Sequence, residues 1–338
     1  MSRQKALIFG VTGQDGAYLA RRLLDIGFDV TGTCQDAQLS DKWRLQFVGI
    51  DEQVKLVTCG LDSAQSVQKV IRDTRPDWVF NLAGYTSLAE ADVSRDKTLF
   101  VNGEIVRVML DSAKDAKGSV RFFQASSAQI FGNEITGPQT EETPVNPENF
   151  YAEAKVIADD IVADARSAGV FAVSGVLYNH ESPLRTERFL SRKVTKGMVE
   201  ASRDPEFVLR VGNLNSRRDW SYADDFMEAA VLSLQNEAPS RYILSSGQFH
   251  CVRDWIDIGA AYLGLDIMWH GDGVDEIAVD TKTGRTIVAV APEFYRAQDP
   301  DGLIGNPQRA EQKLGWSAKT PFNSLVEMMV AADLARAG

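Results

Sequence analysis

Ala6-Leu7-Ile8-Phe9-Gly10-Val11-Thr12-Gly13-Gln14-Asp15-Gly16 is the stretch whose reading decides the fold. Its four leading apolar residues read as a buried strand, and an amphipathic helix follows through Leu19, Leu23 and Leu24. The glycines fall at 10, 13 and 16, a spacing that differs from the G-x-G-x-x-G fingerprint. The mechanics are the same. Small residues permit a tight turn and a close backbone approach, and the helix N-terminus turns its positive end towards a pyrophosphate. A glycine-rich turn alone can be only a turn. Between a strand and a helix it points to a dinucleotide, held around Gly10, Thr12, Gly13, Gln14, Asp15 and Gly16.

Working outward, a second strand is predicted over Asp29–Thr33, ending at Cys34-Gln35-Asp36. Asp36 lies twenty residues beyond Gly16, where an acid holds the adenosine ribose hydroxyls of NAD. A solvated loop acid is the other reading of Asp36. The first basic residues after this strand are Lys42 and Arg44, which leans the cofactor to NAD over NADP. Further strands are predicted at 54–57, 78–83, 120–125 and 173–178, with helices around Val67–Ile71 and over 100–115. This alternation predicts an α/β protein with a Rossmann-type doubly wound parallel sheet and a smaller C-terminal α/β substrate-binding domain. The expected dinucleotide domain is 1–175 plus about 208–247, and the substrate domain 176–207 and 248–338. Helices are expected at 225–238 and 252–263, and the last hundred residues read as more irregular. Gly10, Ala83 and Ser126 fall at strand carboxyl ends, where ligands of such sheets sit.

Phe150-Tyr151-Ala152-Glu153-Ala154-Lys155 opens another helical run. Tyr151 and Lys155 are four apart and share a helix face. An ammonium beside a phenol pulls an acid that titrates near pH ~10 towards neutrality, which suits it to general acid–base work on an alcohol. The pair alone occurs often by chance; the glycine-rich start and the hydroxyls of Ser126-Ser127 give it weight.

A chain of 338 residues with a formal charge of -11 argues against nucleic acid or an anionic membrane surface as the main partner. Three separated cysteines, Cys34, Cys59 and Cys251, suggest neither disulfides nor a zinc site, and no metal is expected. MSRQKALIFG runs straight into a strand without a signal peptide's apolar core, and no apolar stretch has the length of a membrane span; a cytoplasmic enzyme is expected.

The glycine-rich opening, Asn-Leu-Ala-Gly at 81–84, Ser126-Ser127 and Tyr151/Lys155 together resemble the extended short-chain dehydrogenase/reductase family. GVTGQDGAYLA, RFFQASS, NHESPLR, RKVT, GNLNSRRDW and GNPQRAEQKLGW narrow the resemblance to its GDP-mannose 4,6-dehydratase members, over nearly the whole chain. The resemblance implies a bound nicotinamide cofactor, NAD or NADP, that takes hydride from C4 of a GDP-hexose and later returns it. It implies that Tyr151 is the base at the C4 hydroxyl, that Lys155 tunes it and holds the nicotinamide ribose, and that Ser127 bonds the same hydroxyl. Leu61, Leu82 and Ala83 would line the cofactor. Thr86, Asn179, Leu190, Lys193, Arg218, Arg296 and Asp299 would hold the nucleotide sugar, with the cations on its diphosphate. A homodimer or homotetramer is implied as well.

Three departures qualify this. The dehydratase strand end carries a glutamate that removes the C5 proton and helps expel water from C6; Gln129 stands there in Ser126-Ser127-Ala128-Gln129. A carboxamide has no basicity near neutral pH, and such a group contributes typically ~10²–10⁴ in rate, so elimination should be crippled while C4 oxidation survives. Glu134 is one acid that could substitute. Gln35-Asp36 replaces two arginines that serve NADP and a tetramer contact, and Gly60 stands where an aspartate near the adenine is expected. Three functions stay open: a nucleotide-sugar dehydratase, a C4 epimerase or 4-dehydrogenase/4-keto reductase, and a nucleotide-sugar-binding protein without turnover.

Overall fold

The computed structural model describes residues 3–85, 94–117, 119–133, 137–296 and 302–338. Thr86, Glu134 and Asp299 lie outside the described residues. The chain divides into two compact units, the first of 1–178, 223–245 and 305–317 and the second of 179–222, 246–304 and 318–338.

In the first unit, strands β1 (Lys5–Phe9), β2 (Asp29–Cys34), β3 (Lys55–Thr58), β4 (Trp78–Asn81), β5 (Arg121–Ser127) and β6 (Phe171–Leu177) alternate with helices. The helices are α1 (Gln14–Asp25), α2 (Trp43–Phe47), α3 (Ala64–Thr74), α4 (Arg95–Leu99), α5 (Ile105–Lys117) and α6 (Phe150–Ser167). In the second unit come β7 (Asn179–Glu181), α7 (Leu190–Arg203), β8 (Leu209–Val211), β9 (Arg217–Arg218) and β10 (Trp220–Tyr222). Helix α8 (Ala223–Gln235) and strand β11 (Arg241–Leu244) return to the first unit.

The seven-stranded sheet runs β3-β2-β1-β4-β5-β6-β11 and every pairing in it is parallel. The strand order reverses between β1 and β4, which makes the carboxyl ends of those two strands the ligand crevice of a doubly wound sheet. Leu7, Phe9, Val79 and Phe122 are fully buried and pack with Val67, Ile71, Ile105, Met109 and Val162 from the helices. Each aliphatic side chain so buried contributes roughly 1.5–3 kcal/mol, which fixes the strand ends that carry the polar residues. The doubly wound fold expected from the sequence is the one observed.

The second unit contains β12 (His250–Cys251), α9 (Val252–Tyr262), β13 (Ile267–His270), β14 (Ile277–Asp280) and β15 (Thr286–Val290). Helix α10 (Gln308–Leu314) belongs to the first unit and α11 (Phe322–Ala337) to the second. Residues 267–290, read from the sequence as irregular, form two hairpins of a four-stranded sheet ordered β13-β14-β15-β8. The glycine turns are its loops: Gly271 and Gly284 take φ of 74° and 69°, where a side chain would be strained. Strand β8 pairs with β15, so residues 208–222, expected with the first domain, pack in the second unit. Residues 305–317 pass to the first, where Trp316 donates its indole N–H to the Asp225 carbonyl at 2.8 Å. Trp220, Trp255 and Phe322 form an aromatic cluster in the second unit's core, with Trp255 edge-on to Phe322 at 5.1 Å.

Candidate active site

Helix α6 begins at Asn149, whose side-chain oxygen accepts the Ala152 N–H at 2.9 Å and so satisfies one of the first-turn donors. A π-helical turn at Phe100–Glu104 precedes α5 and brings Gly103 against α6. A Cβ on Gly103 would stand 2.9 Å from the Ala154 carbonyl oxygen, so only glycine lets the two backbones approach this closely. The approach seats Tyr151 and Lys155 over the end of β5.

Lys155 is almost completely buried, at 6% exposure. Its ammonium donates to the Ala125 carbonyl at 2.7 Å and lies 5.7 Å from the centre of the Tyr151 ring. Burial drives the ammonium down to about 8, and the charge of Asp159 opposes that fall. The pair anticipated from sequence spacing therefore shares a face in the folded chain, with the lysine inside and the tyrosine half-buried. Pairing with β6 carries β5 on to Ser127, opposite Leu177. The Ser127 hydroxyl oxygen accepts the Gln129 N–H at 3.3 Å, capping a single 3₁₀ turn over Ala128–Phe131.

Gln129 is exposed on that turn, and its side-chain oxygen meets the Asn149 amide at 3.4 Å. Asn149 thus ties this turn to the start of α6. The sequence reading passed over Asn149, although a short polar residue just before a helical run is a start signal. It passed over Asp159 and Arg241 as well, because their partners come from β5 and β11, remote in the chain.

At the other strand ends the backbone forms a narrow cradle. Gly10 has φ 86°, and a Cβ on Gly16 would fall 2.3 Å from the Gly10 carbonyl oxygen. Gly13 caps α1 without a side-chain hydrogen bond. The Leu82 N–H donates to the Phe9 carbonyl at 3.1 Å, and Ala83 lies against Gly10, closing β1 onto β4. Thr12, Gln14 and Asp15 stand in the same turn, whose Thr12 carbonyl accepts from the Arg44 guanidinium at 3.2 Å. Asp36 uses one carboxylate oxygen to accept the Gln38 and Leu39 N–H groups at 2.8 and 3.3 Å, an Asx turn that shapes the loop after β2. Leu61 packs at the edge of the apolar core beyond β3. The space that a side chain at Gly60 would take is filled by the Asp62 carboxylate, 2.7 Å from that Cβ position. A glycine turn that admits no Cβ and a helix start without a side-chain cap fit a dinucleotide pyrophosphate.

The second unit assembles its own polar face. The Lys193 ammonium lies over the Phe294 ring at 4.0 Å, and burial lowers its proton affinity against the pull of Glu293. Arg296, two residues beyond Phe294, is exposed, and its carbonyl accepts from Asn213 at 3.3 Å. Arg218 lies on β9, with a guanidinium N–H on the Arg217 carbonyl at 2.7 Å. Asn179 and Leu190 are exposed at the starts of β7 and α7. Lys193 and Arg296 are thereby linked through the Phe294 segment. Among the described residues no cluster of His, Cys, Asp and Glu could hold a metal ion, and no helix is long and apolar enough to cross a membrane.

The profile described as GDP-mannose 4,6 dehydratase matches residues 7–329 of this geometry's chain. The chain belongs to the GDP-mannose 4,6-dehydratase family. A family member from Drosophila melanogaster is 34% identical over 98% of this chain and 87% of its own length. Two solved structures share the fold. UDP-glucose 4-epimerase of Thermotoga maritima, solved with UDP-glucose, superposes with a TM-score of 0.82 at 17% identity, covering 99% of this chain and all of that one, 100%. The dTDP-glucose 4,6-dehydratase of Bacillus anthracis, solved with NAD, gives 0.77 at 16% identity over 97% of this chain and 96% of its own. The family membership anticipated from the motifs holds.

Proposed function

We propose that the protein oxidises C4 of a GDP-hexose on a tightly held nicotinamide cofactor, without the elimination step that a carboxylate at 129 would drive. The observation that carries this reading is the buried Lys155 ammonium on the Ala125 carbonyl beside the Tyr151 ring. The cofactor supplies the hydride acceptor for the C4 hydrogen. The Lys155 charge stabilises the Tyr151 phenolate, which takes the C4 hydroxyl proton and becomes the neutral phenol, and Ser127 holds the same hydroxyl. Gly10, Gly13 and Gly16 admit the pyrophosphate to the start of α1, with Thr12, Gln14 and Asp15 around it and Leu61, Leu82 and Ala83 along its side. In the second unit Lys193, Arg218 and Arg296 bind the diphosphate, and Asn179 and Leu190 its nucleoside. We assign the dinucleotide to the first unit and the nucleotide sugar to the second. Without elimination, the 4-keto sugar would either take the hydride back on the opposite face, an epimerisation, or leave as the oxidised product, a dehydrogenation.

NAD is the favoured cofactor, with Asp36 on the adenosine ribose. The contact of Arg44 with the glycine turn supports a second reading, NADP with its 2′-phosphate on that guanidinium. Titrating both cofactors into wild type and Arg44→Ala separates them: a loss of NADP affinity confined to the variant sinks the NAD assignment. A second reading of the reaction, dehydration, is favoured by the family likeness over nearly the full chain. Incubation with GDP-mannose and mass analysis of the sugar decides between the two. An unchanged mass with a new sugar stereoisomer, or a loss of two hydrogens, supports C4 chemistry alone, loss of water supports dehydration, and binding of both ligands with the sugar unaltered supports a protein without turnover. Assembly as a homodimer or homotetramer is proposed by analogy and is read directly by sedimentation.

A further inference from the structure

Behind Lys155 lies a second charge that the reaction above does not use. Asp159 follows Lys155 by one helical turn, so Tyr151, Lys155 and Asp159 descend one face of α6 from the half-exposed end into the core. Two consecutive residues at the end of β5 hold the two charges: the Ala125 carbonyl accepts from Lys155 at 2.7 Å, and the Ser126 hydroxyl donates to the Asp159 carboxylate at 2.8 Å. Arg241, from β11, brings its guanidinium to 3.6 Å of the same carboxylate oxygen, an ion pair beyond hydrogen-bond distance. The other carboxylate oxygen is buried and accepts no hydrogen bond among the described residues. Such a group is expensive to bury and points to a use beyond packing.

We propose that Asp159 is a positioning residue for Lys155, a buried counter-charge that keeps the ammonium protonated and fixed on the Ala125 carbonyl, beside the Tyr151 phenol. The groups facing the pair are few. Strand β5 presents the Ser126 hydroxyl, β6 the Ser174 hydroxyl, β11 the Arg241 guanidinium, and α6 itself Arg166 about two turns further along. Among the described residues, Asp159 is the charged group whose field supports Lys155 against its burial. Burial pushes the Asp159 carboxyl upward, and Arg241, Ser126, Ser174 and Lys155 hold it back. Loss of the carboxylate would leave the lysine neutral in the range where the tyrosine needs a neighbouring cation.

The functional meaning rests on the C4-oxidation reading, but the coupling is tested without turnover. The Lys155 titration is followed by NMR on protein containing isotope-labelled lysine, with the resonance assigned by its absence in Lys155→Met. In wild type the midpoint is expected near 8. In Asp159→Asn, which keeps the shape and removes the charge, it should fall by about one unit or more. Asp159→Glu, which keeps the charge and alters the shape, should restore it. A midpoint unchanged in folded Asp159→Asn, or one that follows shape rather than charge, overturns the proposal. Should Asp159→Asn fail to fold, Asp159→Ser, smaller and equally neutral, must lower the midpoint for the proposal to stand. The basic limb of the pH–rate profile for cofactor reduction should move with the NMR midpoint. A shifted midpoint with an unshifted profile leaves the charge coupling in place and removes the C4 reading instead.

Discussion

Two corners of the first unit lie at the end of the same strand and differ in almost every physical respect. At Lys155 the ammonium is sunk in the core, its hydrogen bond runs to a strand carbonyl, and the helix above it is pressed against Gly103. At Gln129 the side chain stands exposed on a single 3₁₀ turn, and its contact with Asn149 is a long 3.4 Å. The first corner cannot change without disturbing the core; the second can exchange a carboxylate for a carboxamide at little structural cost. The chemistry proposed for the buried corner, proton transfer at one sugar hydroxyl, would therefore be fixed with the fold. Chemistry that depends on the open corner is free to be lost.

This contrast breaks most visibly at the buried corner. Tyr151→Phe and Lys155→Met should each lower the rate of nicotinamide reduction by GDP-mannose by about 10²–10⁴, with cofactor binding retained in Tyr151→Phe. Normal turnover in either variant would remove the tyrosine–lysine pair from the reaction. At the open corner Gln129→Glu is close to isosteric and keeps an acceptor for Asn149. It should leave thermal stability unchanged while 4-keto-6-deoxy product appears in the mass spectrum. Absence of that product would show that position 129 is not what separates this chain from dehydration.

Smaller effects sharpen the same comparison. Gly103→Val drives a branched side chain towards the Ala154 carbonyl and should cost roughly 1–3 kcal/mol in chemical denaturation, an overpacking penalty. Lys155 also makes a signed prediction about pH. Its folded value, about 8, lies below its ordinary value of 10.5, so between those values the unfolded chain binds more protons and stability from this group rises with pH. That contribution is present above 10.5 and lost as pH falls through about 8. The difference in unfolding free energy between wild type and Lys155→Met should therefore climb across this window and be flat below it. Asn149→Ala should be mildest, about 1 kcal/mol from the lost cap of α6. It should also alter the orientation of Gln129, read as a small change in sugar KM.

Much of the buried corner was legible in the sequence because helical spacing is local: Tyr151 and Lys155 share a face wherever α6 forms. The glycine turn was legible for the same reason, since strand, turn and helix follow one another without a break. Asp159 is equally local to Lys155, yet its role depends on Ser126 and Arg241, which only the β5-β6-β11 pairing brings beside it. Helix α7 went unread because its N-cap is Phe189, which offers no side-chain hydrogen bond, so the usual start signal is missing. Strands β13, β14 and β15 are four or five residues long and separated by glycine turns, too short for alternation to stand out. The sequence likewise gave no sign that Phe294 would lie beneath the Lys193 ammonium, since that contact joins residues a hundred apart.

The most direct test is a single turnover of the cofactor-loaded protein with GDP-mannose carrying deuterium at C4. The expected result is reduction of the bound nicotinamide with a primary isotope effect, deuterium recovered on the cofactor, and a sugar that has lost no water. A cofactor that stays oxidised while the nucleotide sugar is bound, or one reduced at the same rate with and without the label in a reaction that releases water, would contradict it.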